Sequence, residues 1–406
     1  GFIQVRRSKD LVKWEFVGWA FPEIPQEAVE WVRSHADGKG ATNIWAPYII
    51  PFGDKYRLYY CVSAFGLKTS YIGLAESASP EGPWMQRGCV VKTDATSVMN
   101  AIDPSIIADS ATGKWWMHYG SFFGGLYCVE LNPETGLPVQ EGDQGHLIAR
   151  RATYWKDNLE APEIIYNPEL KQYYLFVSYD PLMTTYNVRV GRSDKAEGPF
   201  VDYFGVELKD TTNNFPILTA PYRFNNHPGW AGTAHCAVFT SDEGQYFMAH
   251  QGRLSPHNQM MDLHLRQVFF TSDGWPVVSP ERYTGSASRE FSAADIVGEW
   301  EIIRVQEPAY ERQLQAGQIL WGEGQLKNEE WNVSCTLSLK KDGQLDENKG
   351  YWKFAERGQL LSLTLNGESV DNLLVFAGHD WENETETVLF TGLDSRGRSV
   401  WGKRTK

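Results

Sequence analysis

The chain has 406 residues, enough for one large domain and a smaller one, and its composition is 42% hydrophobic, 22% charged and 14% aromatic. A net charge of -13 argues against nucleic acid or an anionic membrane surface as partner, since both demand clustered Lys and Arg. No apolar run approaches the roughly 20 residues of a membrane-spanning helix.

In chain order, "FIQVRRSKDLVKWEFVG" at 2–18 reads as the late strands of an incomplete unit. An octad then recurs: "NIWAPYII" at 43–50, "NAIDPSII" at 100–107 and "NLEAPEII" at 158–165. The three align without gaps, sharing Asn first, Pro fifth and an apolar pair last, and their starts are 57 and 58 residues apart, a spacing typical of repeat architectures. Each octad is followed by segments such as "GDKYRLYYCVS" and "SYIGLAESASPEGPW", rich in Tyr, Val, Ile and Phe and divided by Gly, Pro, Asp and Asn turns. That pattern predicts about four short strands per unit and no long amphipathic helix. A further unit, "GTAHCAVFTSDEGQYFMAHQGR", carries Thr233, Ala234 and His235 in place of the Pro-containing core. Counting the front fragment gives five units, the expectation for a five-bladed β-propeller over 1–291.

From about residue 292 the pattern becomes strict alternation, as in "CTLSLKKDGQL" and "GYWKFAERGQLLSLTL", which predicts a smaller antiparallel β-barrel or sandwich over 292–406 without catalysis in it. The five cysteines, Cys61, Cys89, Cys128, Cys236 and Cys335, are widely spaced and read as small buried hydrophobes.

In a propeller the innermost strands converge on the axis, so the octad positions that differ between copies, Trp45–Ala46, Ile102–Asp103 and Glu160–Ala161, are expected to meet. Asp103 and Glu160 then face one cavity. Paired carboxylates beside aromatics suit glycoside hydrolysis, in which a carboxylic acid protonates the departing oxygen and a neighbouring negative charge raises its pKa. Singly, Asp103 also reads as a turn-forming Asp before Pro, and Glu160 as a strand-end carboxylate. By alternation Glu163 falls on the side opposite Glu160 and is read as structural or rim.

These motifs, with "SAFGLKTSYIGLAES", "YNVRVGRSDKAEGPF" and "DGWPVVSPERY", resemble glycoside hydrolase family 43, within it the arabinanases that cut α-1,5-linked L-arabinan, over residues 1 to about 290. The tail resembles the β-barrel domain appended to some larger extracellular arabinanases. The resemblance implies a five-bladed, inverting enzyme with Glu160 as general acid and Asp103 as the carboxylate that tunes and orients it. It further implies an arabinan or arabino-oligosaccharide substrate, an extracellular or periplasmic location, and no organic cofactor. Trp45 and Phe65 would pack on arabinose rings and Ser121, in "YGSFFGG", would lie near substrate; ordinary core or turn roles compete for all three. His235 stands where similar enzymes bring a histidine near Ca2+ or another ion, largely through water, against the reading of a hydrogen-bonded core histidine.

The family's general base is an aspartate on the first inner strand. Asn43 to Ser77 spans 34 residues and Asn158 to Ser193 spans 35, so Ser8 predicts an octad, and with it the base, upstream of residue 1. A chain lacking that base would hydrolyse little or nothing. Two competing functions remain at this level: an exo-acting arabinofuranosidase or xylosidase of the same fold, and a carbohydrate-binding propeller without the chemistry.

Overall fold

The computed structural model describes residues 2–151, 157–210, 213–257, 259–308, 326, 328–346 and 349–406. Among these residues the protein is all-β apart from two α-helices and a short 3-10 turn, and none of the described helices is long and apolar enough to cross a membrane.

Strands β1 (Gln4–Arg7) and β2 (Glu15–Trp19) form a two-stranded antiparallel sheet. Helix α1 (Gln26–His35) follows, and four-stranded sheets come next in strict chain order. The first is β3 (Trp45–Phe52), β4 (Lys55–Ser63), β5 (Ser70–Ser77) and β6 (Met85–Thr93). The second is β7 (Ser105–Ala108), β8 (Trp115–Tyr119), β9 (Leu126–Leu131) and β10 (His146–Ala149). The third is β11 (Leu159–Asn167), β12 (Gln172–Tyr179), β13 (Asn187–Ser193) and β14 (Ile217–Thr219). Each octad supplies the first strand of its sheet. Pro can occupy that strand because it sits near the strand's start, where no ladder hydrogen bond is forfeited.

Helix α1 is a departure from the sequence expectation of short strands without a long amphipathic helix. Its apolar stripe is too short to register as a period, because only Ala28 and Val32 are buried, four residues apart. They pack on Leu58, Tyr60, Val62 and Ala75 of the first sheet, while Glu27 in the first turn and Arg33 and His35 in the last complement the helix dipole. A separate apolar cluster joins the first two sheets through Tyr59, Ile72, Leu74, Ile106, Met117 and Val129.

By internal contacts the chain forms two compact units. One comprises 1–9, 13–178 and 191–213, the other 10–12, 179–190 and 214–406. In the second, the hairpin strands Tyr246–Leu254 and Asp262–Phe270 lie in one sheet, and seven antiparallel strands between Gly298 and Arg404 form another. The two edge strands of that last sheet are tied together by the 340–346 turn, through the bridges Leu339↔Leu345 and Gln344↔Tyr351. Closing an edge in this way removes unpaired backbone groups. Its core is Trp300, Trp352, Leu361, Leu373 and Phe390.

All five cysteines are free. Cys61, Cys128 and Cys236 are buried as expected, but Cys89 is half-buried and Cys335 exposed. Cys335 sits at the start of an alternating strand, where a small side chain fits either face.

Candidate active site

The fourth residue of every octad adopts a left-handed backbone: Ala46 at φ 35°, Asp103 at φ 58°, Ala161 at φ 53°, and His235, in the divergent copy, at φ 53°. Non-glycine residues rarely hold this conformation, and a recurrence at one register position marks a built feature. In the first sheet it coincides with a bulge: Trp45 pairs with Cys61 and Tyr48 with Tyr59, three steps on one strand against two on the other. Simple alternation therefore does not carry across the octad.

The bulge re-aims the side chains on either side. Asp103 is buried, with 5% exposure, and its Oδ2 accepts the N–H of Ala161 at 3.2 Å, so the carboxylate of one octad holds the kink of the next. Burial drives the Asp103 carboxyl well above the ordinary aspartate range; the charge of Glu160 pushes in the same direction, and the Ala161 N–H opposes both. Glu160, half-buried, accepts the Ser121 hydroxyl at 2.7 Å on Oε2. Backbone pairing supports this contact, through the Ser121↔Glu160 bridge and the Phe122 N–H to Leu159 C=O bond at 2.8 Å. The geometry thus brings Asp103, Glu160 and Ser121 into one network.

Trp45 and Phe65 meet edge to face, ring centroids 6.1 Å apart, with Phe65 43% exposed and Trp45 partly buried against the core. Cys61 connects this pair to the carboxylates. Its thiol donates to the Trp45 carbonyl at 3.0 Å, and burial, then the Asp103 charge, pushes its pKa well up.

Glu163 belongs to a separate set built from the sixth octad residues. Ser105 Oγ donates to Glu163 Oε2 at 2.9 Å and accepts the Ile164 N–H at 3.1 Å. Tyr48, its phenol pushed up by burial and then by the Glu163 charge, also bonds Ser105. Glu163 is buried, so of the two roles sequence alternation offered it, this structure supports the structural one.

His235 lies half-buried in the second compact unit. A calcium ion there would need oxygen donors. Among the described residues, the one group of three acidic, histidine or cysteine side chains close enough to share an ion is Glu281, Asp380 and Glu382, within 4.8 Å of one another, and it does not include His235. Lys403 Nζ already sits among those carboxylates, 2.9 Å from Glu281 and 3.0 Å from Asp380 and in contact with Glu382.

Sequence reasoning passed over Asp157, the residue immediately before the third octad. Its carboxylate receives the N–H groups of Gly124 and Arg151. The available signal was a difference between copies: Thr42 and Met99 precede the other two octads.

A profile of glycosyl hydrolases family 43 matches residues 1–276, and one of a C-terminal lipocalin-like domain matches 280–402. The chain belongs to glycosyl hydrolase family 43. It is a glycoside hydrolase, and the paired carboxylates lie inside the family 43 region. Among relatives, an extracellular endo-α-(1→5)-L-arabinanase of Thermotoga petrophila is 29% identical, over all of this chain and 90% of its own. Its crystal structure superposes with a TM-score of 0.83 at 28% identity, covering 99% of this chain and 94% of that one. An extracellular exo-α-(1→5)-L-arabinofuranosidase of Cellvibrio japonicus is 32% identical, over 68% of this chain and 80% of its own.

Proposed function

We propose that this family 43 enzyme hydrolyses α-1,5-linked L-arabinan and arabino-oligosaccharides with inversion, in a five-bladed propeller over 1–291 followed by a β-barrel domain over 292–406. The observation that carries the proposal is the Asp103–Glu160–Ser121 network beside an exposed aromatic pair. Glu160 is the general acid that protonates the departing glycosidic oxygen. Asp103 is the buried carboxylate that tunes and orients it. Trp45 and Phe65 stack on arabinose rings, and Ser121 borders the bound sugar.

Inversion needs a second carboxylate about 6.5–9.5 Å from the acid, with room for a water that attacks the opposite face of the ring. Water, an acid and a base complete the reaction without an organic cofactor. An ion near His235 would be held through water and serve the scaffold, a role that metal chelation tests as a loss of thermal stability. The extracellular arabinanase and arabinofuranosidase among the relatives support action outside the cytoplasm.

The exo-acting relative favours a second reading, in which the chain releases arabinose from chain ends. Linear arabinan digested by the full-length protein separates the two. Internal cutting gives mixed oligosaccharides and a rapid fall in viscosity, whereas terminal cutting gives a single small product. Proton NMR of the first product tests inversion, since retention of the α-anomer would overturn it. A protein that binds arabinan and releases nothing would be the non-catalytic propeller.

A further inference from the structure

We propose that Asp157 is a positioning residue for Glu160, acting through the 121–125 loop; the inference rests on Glu160 being the general acid. The loop carries four consecutive left-handed residues, Phe122 at φ 52°, Phe123 at φ 40°, Gly124 at φ 107° and Gly125 at φ 94°. The two phenylalanines hold a conformation that side-chain-bearing residues rarely adopt, so surrounding contacts must over-determine it.

Those contacts converge on the start of the third octad. Phe122 N–H bonds the Leu159 carbonyl at 2.8 Å, and Gly125 N–H closes the loop on the Phe122 carbonyl at 3.0 Å. A further tie is Asp157: Oδ2 accepts the Gly124 N–H at 2.9 Å, while Oδ1 accepts the Arg151 N–H at 3.2 Å and faces Arg150 Nε at 3.3 Å. The carboxylate is 7% exposed, and hydrogen bonds to a charged acceptor at such a site are the stronger kind. Both oxygens are engaged, one on each side of the junction. The side chain therefore clasps the loop to the strand that carries Glu160, three residues away.

The loop's first residue is Ser121, whose hydroxyl fixes Glu160 Oε2. Releasing the Gly124 end frees Ser121 to leave that oxygen, and the acid then samples rotamers in which it cannot reach the glycosidic oxygen. The loop packs closely in this seat: a Cβ at Gly124 would meet the backbone oxygen of Val98, and one at Gly125 that of Ala149.

The test uses the full chain with Asp157→Ala, Asp157→Asn, Ser121→Ala and the double variant Ser121→Ala/Asp157→Ala, assayed on linear arabinan. Misplacing an acid without removing it costs on the order of tenfold to a hundredfold in kcat with KM nearly constant. We expect that loss in Asp157→Ala and a partial recovery in Asp157→Asn, whose single oxygen can still receive the Gly124 N–H. Because Asp157 acts through Ser121, its removal in the Ser121→Ala background should cost little more. Full kcat in Asp157→Asn and Asp157→Ala, or an equal fold-loss with and without Ser121, overturns the proposal. If Asp157→Ala does not fold, Asp157→Asn with and without Ser121 decides by the same criterion. Full activity of Glu160→Gln would instead overturn the general-acid assignment and is scored separately.

Discussion

The Asp103 carboxylate accepts the backbone N–H of Ala161, the residue that follows Glu160. One octad's acidic side chain thereby holds the left-handed kink of the next, and the two carboxyl groups interact while each is tied to a different partner.

Replacing Asp103 should separate activity from stability. Asn keeps an oxygen for the Ala161 N–H but can no longer ionise, and hydrolysis should fall on the order of a hundredfold. Stability should move the other way. The folded-state pKa of Asp103 is raised, so above the ordinary value near 3.8 the unfolded chain has released a proton that the folded chain still holds. Stability is therefore lost as pH rises through the folded pKa, and Asp103→Asn escapes that loss. A melting temperature at neutral pH above that of the parent, together with depressed kcat, is the expected pair of results.

The aromatic pair should govern binding more than chemistry. Phe65→Ala removes an exposed ring that rests edge-on against Trp45. KM for arabino-oligosaccharides should rise about tenfold with kcat little altered, the mark of lost uniform binding. A change confined to kcat would contradict a stacking role.

Much of this architecture is legible in the sequence because the octad carries its own geometry. Pro at the fifth position marks the register from copy to copy, and the residue before it is left-handed at 46, 103 and 161, against the extended bias a following Pro imposes, a conformation His235 shares without a proline. The pairing of Asp103 with Glu160 follows from that register. What stays hidden are the features set by tertiary contact. Alternation assigns Glu163 a side, but the bulge breaks alternation, and Ser105 determines where Glu163 lies. Helix α1 shows two buried positions, below what a period can reveal. Asp157 matters through its partners Gly124 and Arg151, one of them more than thirty residues away in sequence.

Acid should weaken the second compact unit through its buried imidazoles. Burial, and then the Arg266 charge, lower His250 from 6.5 to about 3; Arg266 Nε donates to its Nε2 at 2.9 Å. Between those pH values the unfolded chain binds a proton that the folded chain refuses. Stability is thus complete above about pH 6.5 and declines as pH falls toward 3, by up to about 1.4 kcal/mol per pH unit for one such histidine. Denaturant unfolding from pH 7 to 4 should show this slope, and His250→Gln should flatten it.

Lys403 is a buried charge whose loss should be severe. It lies among Glu281, Asp380 and Glu382 and is fully buried, and burial pushes Glu281 up to about 8 even with the ammonium beside it. Above pH 8, Lys403→Met strands three carboxylates, and about 3–5 kcal/mol of stability should be lost. Lowering the pH from there toward neutral should restore part of it as Glu281 takes up a proton. A variant as stable as the parent at pH 8 would show that the cluster tolerates its own charge.

Hydrolysis of linear arabinan by Glu160→Gln, measured beside Glu163→Gln in the full-length protein, bears most directly on the central claim. The two glutamates share one octad but sit in different networks, Glu160 with Ser121 and Glu163 with Ser105. With Glu160 as the general acid, Glu160→Gln loses about 10²–10⁴-fold in rate while remaining folded, and Glu163→Gln keeps most of its activity. Full activity in Glu160→Gln, or equal losses in both variants, would contradict it.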